Sequence, residues 1–204
     1  VTTLRHYAEE YGIGLIGSFR EKTDSLPRNT AIAIDRDGRI LTSYAKMHLF
    51  SPGKEDEGNI PGSALGTFRL GPLTCGLAIC YDLRFPELFR IYAQRGVQVV
   101  FVPSAWPRRR SDHWELFITA RALENQIYVS GVNTTGETPV ESFAGASMTA
   151  DPQGTIICRA TGAEQLLFTD IDPALIETSR RQFPVGRDRR DDLYHTLRAC
   201  RDHQ

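Results

Sequence analysis

The chain has 204 residues with 24 basic and 25 acidic side chains, and its formal net charge is −1. This balance gives no reason to expect a nucleic acid as partner. No apolar run approaches the roughly 20 residues of a membrane span, and no signal peptide is visible, so we predict no membrane association. The length suits one domain, residues 1–204, whose residues 183–204 form a polar, irregular C-terminal tail.

The cysteine pattern argues against a disulfide framework and against a metal site. The four cysteines are Cys75, Cys80, Cys158 and Cys200, with no C-x-x-C motif and no Cys/His cluster at zinc spacing. Cys75 and Cys80 are an odd number of residues apart on one predicted strand, so their side chains face opposite sides. We therefore predict no metal, and a reducing cytoplasm is the simplest setting.

The first half of the chain predicts a helix followed by a series of strands. Residues 3–11 have helical spacing and end at Gly12. The predicted strands are short and apolar: residues 13–19, 31–34, 39–46 and 73–80. The Asp-Arg-Asp-Gly sequence at 35–38 is typical of a hairpin turn, and residues 51–66 read as a polar loop.

The second half alternates helices with strands. The predicted helices are residues 86–96, 111–125 and 173–182. The predicted strands are residues 97–102, 127–132, 146–150, 155–159 and 166–171. Together with the first half, this order predicts an α/β protein with mixed sheets and helices on their outer faces.

The junction at Cys80 is the most informative stretch of the sequence. An apolar strand stops there, and Pro86 and Glu87 suit the first turn of a helix that follows at once. Cys80 is therefore predicted at the carboxyl end of a strand and near a helix N-terminus, where α/β proteins bind ligands and where a thiolate is favoured. Taken alone, a cysteine at such a junction is more often a buried residue that only fills space.

A cysteine nucleophile needs a positive environment and a group that holds it in place. Lys46 lies at the end of a predicted strand and is the candidate cation, although a lone lysine there is usually a solvated edge charge. Glu55 is the candidate carboxylate, although a charged loop of its kind is most often solvated.

Sequence motifs along the whole chain resemble those of one known family. They are KMHLF at 46–50, Glu55, AICYDLRFPE at 78–87, PSAW at 103–106, DHW at 112–114, RALENQ at 121–126, DPQG at 151–154, FPV at 183–185, RR at 189–190 and DLY at 192–194. In this order they resemble the nitrilase superfamily of carbon–nitrogen hydrolases. Within it the chain looks most like the amidase branch that includes ω-amidases and 2-oxoglutaramate amidases, in its bacterial form.

The resemblance implies a fold and a set of catalytic roles. The fold is an α-β-β-α four-layer sandwich. Cys80 would be the nucleophile, and Lys46 with the backbone N–H of Tyr81 would stabilise the oxyanion. Glu55 would match the family glutamate that positions Lys46. Elementary chemistry agrees, because an ammonium near the sulfur favours thiolate and a fixed cation near a developing O⁻ lowers the barrier.

One departure from the family pattern concerns the general base. The family has a glutamate after an N-terminal strand, upstream of the helix predicted here at residues 3–11. Glu9, Glu10 and Glu21 do not match its motif, and Glu87 follows the nucleophile instead of preceding it. We therefore expect an N-terminally truncated chain, with the first strand and helix of the fold missing, that is inactive when expressed alone.

The substrate-binding residues are less sharply indicated. Trp106 would wall the acyl pocket, and a role in packing alone is about equally supported. Ser104 and Arg84 are further candidates beside it. Arg84 or an arginine of the run at 108–110 would hold a substrate carboxylate through two hydrogen bonds, although a solvated loop is the simpler explanation of that run.

The sequence as a whole predicts a hydrolase that splits the C–N bond of a small non-peptide amide. An ω-amide of a 2-oxo acid is the substrate suggested, with a thioester on Cys80, release of ammonia and no cofactor. The alternatives within the family are a nitrilase, an N-carbamoyl amidohydrolase and a deaminated glutathione amidase. The alternative from another class is a catalytically silent, binding-only fragment. The resemblance also implies a homodimer for the full-length protein.

Overall fold

The computed structural model describes residues 1–199. Its helices are α1 (Thr2–Tyr11), α2 (Glu55–Gly58), α3 (Pro86–Gln94), α4 (Ser111–Asn125), α5 (Pro173–Gln182) and α6 (Asp191–Ala199). Its strands are β1 (Leu15–Glu21), β2 (Arg28–Ile34), β3 (Ile40–Ala45), β4 (Gly66–Leu70), β5 (Leu73–Leu77), β6 (Val99–Ser104), β7 (Tyr128–Asn133), β8 (Thr135–Glu137), β9 (Ser142–Ala144), β10 (Met148–Ala150) and β11 (Ile156–Arg159). Short 3₁₀ turns cover Ser51–Gly53, Cys80–Arg84 and Arg108–Arg110.

A three-stranded antiparallel sheet, in the order β1-β2-β3, forms the N-terminal part. The turn between β2 and β3 is the one that the sequence predicts. The carboxylate of Asp35 accepts hydrogen bonds from the backbone N–H groups of Asp37 and Arg39 at 3.0 and 2.8 Å. Gly38 has φ +74° there, a conformation that L side chains rarely adopt, and a Cβ would lie 2.9 Å from the carbonyl oxygen of Arg5.

A six-stranded sheet in the order β11-β10-β7-β6-β5-β4 forms the rest of the core. Its three central strands, β5, β6 and β7, run parallel, and the outer strands run antiparallel to their neighbours. Helix α4 approaches β7 closely because Gly131 has no side chain. A Cβ at Gly131 would lie 2.6 Å from Trp114 and 2.7 Å from Ile118. Because β5, β6 and β7 run parallel, their carboxyl ends meet at one edge of the sheet, where ligands commonly bind.

The two sheets share the main hydrophobic core. Ala31, Ala33 and Tyr44 of the smaller sheet lie in the same buried cluster as Cys75 and Leu77 of the larger one. Helix α1 covers the opposite face of the smaller sheet, in a separate cluster built from Ala8, Ile32 and Ile34. The protein is thus an α/β protein with mixed sheets and helices, as the sequence predicts.

Two predicted elements differ from the structure. Residues 166–171 form no strand, and Leu166 and Phe168 are 78% and 84% exposed. Their apolar pattern suits a strand, but no strand among residues 1–199 pairs with it, and a strand needs a neighbour for its backbone hydrogen bonds. The tail at 183–204 is not irregular throughout, because it contains α6.

The sequence prediction also omitted short strands. β4 pairs with β5, and β8 pairs with β9 in a separate hairpin. Cys200 lies outside the described residues. Across residues 1–199, none of the helices is both long and apolar enough to cross a membrane.

Candidate active site

A cavity of about 350 Å³ opens at the carboxyl ends of the parallel strands. It is lined by Cys80, which follows β5, by Ser104, which ends β6, and by Thr134, which follows β7. Lys46 and Glu55 reach it from the loop after the smaller sheet. All residues predicted at the site line this one cavity: Cys80, Lys46, Glu55, Tyr81, Arg84, Ser104 and Trp106.

Cys80 occupies a strained backbone position. Its φ is +47°, in the left-handed region that non-glycine residues rarely adopt, and it begins the 3₁₀ turn Cys80–Arg84. The Sγ atom lies 3.8 Å from the carbonyl oxygen of Ala105. Burial raises the pKa of the Cys80 thiol, and the charge of Lys46 opposes that rise. The thiol is therefore more acidic with Lys46 beside it than it would be without this cation.

Lys46 is held in place by Glu55. The Nζ atom of Lys46, whose side chain is 4% exposed, donates to Oε2 of Glu55 at 2.5 Å. The same oxygen accepts from the backbone N–H of Phe50 at 2.7 Å, and Oε1 accepts from Nδ2 of Asn29 at 2.9 Å. The pair is therefore a fixed ion pair beside Cys80 and not a mobile surface contact.

The environment of Glu55 keeps it ionised at neutral pH. Burial alone would raise the pKa of its carboxyl group. The hydrogen bonds from Asn29 and Lys46, with that from the backbone of Phe50, outweigh the burial and lower the pKa below its ordinary value. A carboxylate of this kind is a poor proton acceptor and a good partner for an ammonium group.

Asp82 is a structural residue of the site that the sequence analysis missed. It is fully buried, and its carboxylate accepts from the hydroxyl of Tyr44 at 2.8 Å and from the backbone N–H of Ile79 at 2.8 Å. It also accepts from the backbone N–H and from Nδ1 of His48, at 3.0 and 2.8 Å. Asp82 therefore joins the end of β3, which carries Lys46, to the turn that carries Cys80. The signal in the sequence was its place two residues after the cysteine.

Asn29 is the second missed residue. It lies on β2 and contacts Glu55, which is 26 positions away in the sequence. A lone asparagine in a predicted loop or strand carries no signal of this role, so only the fold reveals it.

Arg84 lies among aromatic rings at the wall of the cavity. Its guanidinium carbon is 5.2 Å from the ring centre of Trp106, 5.1 Å from that of Phe117 and 5.9 Å from that of Tyr81. Its Nη2 atom is 3.1 Å from Nδ1 of His113. The aromatic faces and the imidazole thus already engage much of this guanidinium.

The three consecutive arginines have different surroundings. Arg108 donates to the carbonyl oxygen of Phe143 at 3.4 Å, and Arg109 pairs with Glu141 at 2.7 Å, so both face the β8–β9 hairpin. Arg110 is half-buried and lines the cavity, with its guanidinium 5.4 Å from the ring centre of Phe50. Of the run, Arg110 is the arginine that faces the cavity.

Trp106 and Ser104 complete the wall. Trp106 is 3% exposed, and its backbone N–H donates to Oδ1 of Asn133 at 2.7 Å. Its indole Nε1 donates to the carbonyl oxygen of Arg110 at 2.7 Å, so the indole also positions that arginine. The hydroxyl of Ser104 donates to the carbonyl oxygen of Val102 at 3.3 Å.

The cavity has the chemical equipment for nucleophilic attack on a carbonyl carbon. It combines a thiol, a fixed ammonium group and, in Lys46, Arg84 and Arg110, three cations against the single carboxylate of Glu55. Within residues 1–199, no group of three or more His, Cys, Asp or Glu side chains is arranged to hold a metal ion. The mixed-sheet α/β fold and this site together indicate a protein suited to cysteine-based chemistry on a carbonyl group.

Comparison with known proteins gives the family. The family model described as carbon-nitrogen hydrolase matches residues 1–181. The chain is 36% identical over 192 residues to 2-oxoglutaramate amidase of Bacillus subtilis, which covers 94% of this chain and 74% of the relative. It is 37% identical over 201 residues to omega-amidase NIT2 of Homo sapiens, with 94% and 73% covered. The chain therefore belongs to the carbon–nitrogen hydrolase family, the nitrilase superfamily that the motifs indicate.

Solved structures agree with the fold. A carbon-nitrogen hydrolase from Helicobacter pylori matches with a TM-score of 0.91 and 28% identity, over 96% of this chain and 74% of that one. An amidase from Nesterenkonia, in its E41L mutant with the acetamide moiety of fluoroacetamide added covalently at the active-site cysteine, matches with a TM-score of 0.85 and 29% identity, over 96% and 72%.

Proposed function

We propose that this protein is an amidase that hydrolyses a small non-peptide amide through a thioester on Cys80. The observation that carries the proposal is the convergence of Cys80 and the Lys46–Glu55 ion pair in one cavity at the ends of three parallel strands. The Nesterenkonia amidase, with its covalent adduct at a cysteine, supports a covalent route. No cofactor takes part in this chemistry.

The reaction proceeds in two halves. In the first, the Cys80 thiol loses its proton and the sulfur attacks the amide carbon, so that a C–S bond forms and the carbonyl becomes an oxyanion. Lys46 and the backbone N–H of Tyr81 stabilise that oxyanion. The C–N bond then breaks, the nitrogen takes a proton and departs as ammonia, and the acyl group remains on Cys80 as a thioester. In the second half, water adds to the thioester carbon and the C–S bond breaks, which gives the carboxylic acid and restores the thiol.

Glu55 has the role of a positioning residue in this scheme. Its oxygens are occupied by Lys46, Asn29 and a backbone N–H, and its pKa is lowered, so it holds the ammonium group at the oxyanion position. Within the described residues it is the only carboxylate that lines the cavity. For the removal of the thiol proton, the family resemblance implies a separate glutamate, and we assign that step to such a group and not to Glu55.

The substrate that we propose is an amide with a carboxylate at its far end, such as an ω-amide of a 2-oxo acid. The relative from Bacillus subtilis is a 2-oxoglutaramate amidase, and the cavity has an excess of positive charge. The sequence left the choice open between Arg84 and the arginines at 108–110 as the residue that holds the carboxylate. Arg110 is better suited, because aromatic rings and His113 already engage Arg84, while among residues 1–199 the guanidinium of Arg110 lies against the ring of Phe50 and has no carboxylate partner.

One observation favours the silent, binding-only alternative. The pKa of the Cys80 thiol is raised, so little thiolate exists at neutral pH without a base. A thiol-directed reagent separates the two proposals in the full-length protein. An amidase requires Cys80 to be labelled faster than the buried Cys75 and than Cys158, whereas equal rates favour the silent protein.

The remaining expectations concern layers, assembly and compartment. The packing of α1 on the smaller sheet and of α4 on the larger one supports the four-layer α-β-β-α order. We propose a homodimer in a reducing cytoplasm, where the nucleophile stays reduced. Light scattering on the full-length protein tests the dimer.

The experiment that tests the function is a panel of substrates assayed for ammonia, for carbon dioxide and, with deaminated glutathione, for the primary amine that its hydrolysis releases. The panel contains an ω-amide with a distal carboxylate, a neutral amide of equal length, a nitrile, an N-carbamoyl compound and deaminated glutathione. We expect ammonia without carbon dioxide and the highest kcat/KM for the first compound. Preference for the nitrile, for the N-carbamoyl compound with release of carbon dioxide, or for deaminated glutathione would assign one of the family alternatives instead.

A further inference from the structure

A second cavity, of about 340 Å³, shares no lining residue with the candidate active site. It lies between α3, the end of α4, α5 and the segment before α6. Four arginines line it: Arg90, Arg180, Arg187 and Arg189. Among the lining residues, Asp191 is the single carboxylate. The cavity is therefore rich in positive charge.

The acidic groups nearby are already engaged. One carboxylate oxygen of Asp191 accepts from Nε2 of Gln94 at 2.9 Å, and the other pairs with Arg189. Arg187 pairs with Asp188, its neighbour in the chain, at 3.2 Å. Two of the four guanidinium groups thus have a carboxylate partner, and two do not.

Arg90 and Arg180 are the two without a carboxylate partner within residues 1–199. Arg90 donates from Nη2 to the carbonyl oxygen of Glu124 at 2.8 Å, which leaves its other N–H groups available. Burial lowers the pKa of Arg180. Burial and the charge of Arg189 lower the pKa of Arg90, and the charges of Glu124 and Asp191 oppose part of that shift. Two partly buried cations beside a third favour an anion between them.

Buried polar atoms without a partner point to the same place. Within the described residues there are three such side-chain atoms: Oδ1 of Asn125, Oγ of Ser179 and Nε of Arg189. Asn125 and Arg189 line the cavity. Ser179 lies beside it, because its carbonyl oxygen accepts from Gln126, which also lines the cavity. Such atoms are rare in native proteins. Oγ of Ser179 and Nε of Arg189 are donors that an anion can accept from, whereas Oδ1 of Asn125 is an acceptor and needs a donor, such as a hydroxyl group of the ligand or a water molecule.

We propose that this cavity binds a small molecule through a phosphate or carboxylate group, held by the guanidinium groups of Arg90 and Arg180. Two guanidinium forks suit an oxyanion because each donates two parallel N–H bonds. The volume exceeds that of one oxyanion, so the ligand has a body beyond its charged group. This inference is independent of the proposed amidase activity.

The test measures anion binding by the full-length protein. Isothermal titration with inorganic phosphate and, separately, with succinate is carried out at fixed ionic strength against a sodium chloride background. We expect saturable binding of at least one of them, with one site per chain and a higher Tm in its presence. The anion that binds more tightly identifies the group, phosphate or carboxylate. Binding of neither anion would overturn the proposal.

Matched variants place the binding in the cavity. Arg180→Gln and Arg90→Gln each remove one guanidinium group and are expected to weaken anion binding about tenfold in Kd. Arg180→Lys keeps the charge without the fork and is expected to weaken it less. Arg36→Gln, an exposed arginine in the turn between β2 and β3, is the control and leaves Kd unchanged. Unchanged Kd in both cavity variants would contradict the proposal. So would an oligomeric mass lowered by these substitutions with no effect on anion affinity, because the arginines would then serve a second copy of the chain.

Discussion

At the scale of single residues, burial and the positive charge of Lys46 together control the pKa of the Cys80 thiol. Burial raises the pKa of this thiol and the positive charge of Lys46 opposes the rise. The thiolate, which is the reactive form, therefore accumulates only above the ordinary thiol pKa of about 8.5. Removing Lys46 removes the opposing charge, so the pKa rises further.

Alkylation of Cys80 as a function of pH tests this directly. Mass spectrometry of the Cys80 peptide after brief treatment with iodoacetamide is expected to give a half-maximal rate at a higher pH than for an ordinary exposed thiol. Lys46→Met is expected to move the curve to still higher pH, and Lys22→Met, an exposed lysine, to leave it in place. No difference between the two variants would contradict the effect of Lys46 on the thiol.

Lys46 has a second effect, on the oxyanion. Lys46→Met keeps the length of the side chain and removes a charge that matters most once O⁻ has developed. We expect kcat of the full-length protein to fall roughly 10²–10³-fold with KM little changed. Steady-state kinetics with thermal unfolding as a folding check measure this, and Lys22→Met is again the control. A normal kcat with only a raised KM would assign Lys46 to ground-state binding.

Arg110 is expected to decide between charged and neutral substrates. Arg110→Gln should lower kcat/KM for an amide with a distal carboxylate about 10–100-fold and leave the neutral amide of equal length unaffected. Arg109→Gln is the matched control, because Arg109 pairs with Glu141 and points away from the cavity. Equal loss for both amides would show that Arg110 only supports the loop. An effect confined to Arg84→Gln would return the role to Arg84.

The sequence predicted some site residues and missed others for a physical reason. Cys80 stood out because a strand ends there abruptly, and the family resemblance drew attention to Lys46 and Glu55. Asp82 and Asn29 escaped because their partners come from distant segments: Tyr44 is 38 positions from Asp82, and Glu55 is 26 from Asn29. Periodicity reports which face a residue occupies, and it carries no information on which polar group meets it across the fold.

At the scale of secondary-structure elements, the contact of α4 with β7 holds the cavity edge. The approach depends on Gly131, where a Cβ would meet Trp114 and Ile118 at 2.6–2.7 Å. Trp114 in turn packs against Trp106 in the cavity wall, with ring centres 5.6 Å apart. A side chain at position 131 would therefore press on Trp114, which is in contact with Trp106 of the cavity wall.

Substitution of this glycine measures the contact. Gly131→Ala is expected to lower the free energy of unfolding by about 1–3 kcal/mol, because the packed indole and isoleucine must move. Gly17→Ala on β1 is the control, since its Cβ meets nothing within 4 Å. Urea unfolding of both variants gives the difference. Equal stability would mean that α4 moves away from β7 without cost.

Strongly patterned elements were predictable and weakly patterned ones were not. Helix α3, Pro86–Gln94, lies within the predicted bounds 86–96 because its apolar positions Leu88, Phe89 and Tyr92 recur at helical spacing and are buried. β8 and β9 have three residues each, too few for a pattern to be visible. The prediction at 166–171 failed for the opposite reason, since a good apolar pattern does not make a strand without a neighbouring strand to pair with.

At the scale of the whole molecule, two sheets with helices place two charged cavities on one chain. The first lies at the carboxyl ends of β5, β6 and β7 and contains Cys80. The second is lined from α3 to α6 by arginines and contains no residue of the first. The proposed chemistry on an amide and the proposed binding of an anion are thus separable, and variants in one cavity are expected to leave the other unaffected.

The central claim is that Cys80 carries the acyl group. The most direct measurement is mass spectrometry of the full-length protein, quenched with acid during turnover of an amide. We expect the Cys80 peptide to gain the mass of the amide substrate less that of ammonia, and Cys80→Ala to show neither the adduct nor turnover. An unmodified Cys80 peptide during turnover, or more than about a tenth of the activity in Cys80→Ala, would contradict the account.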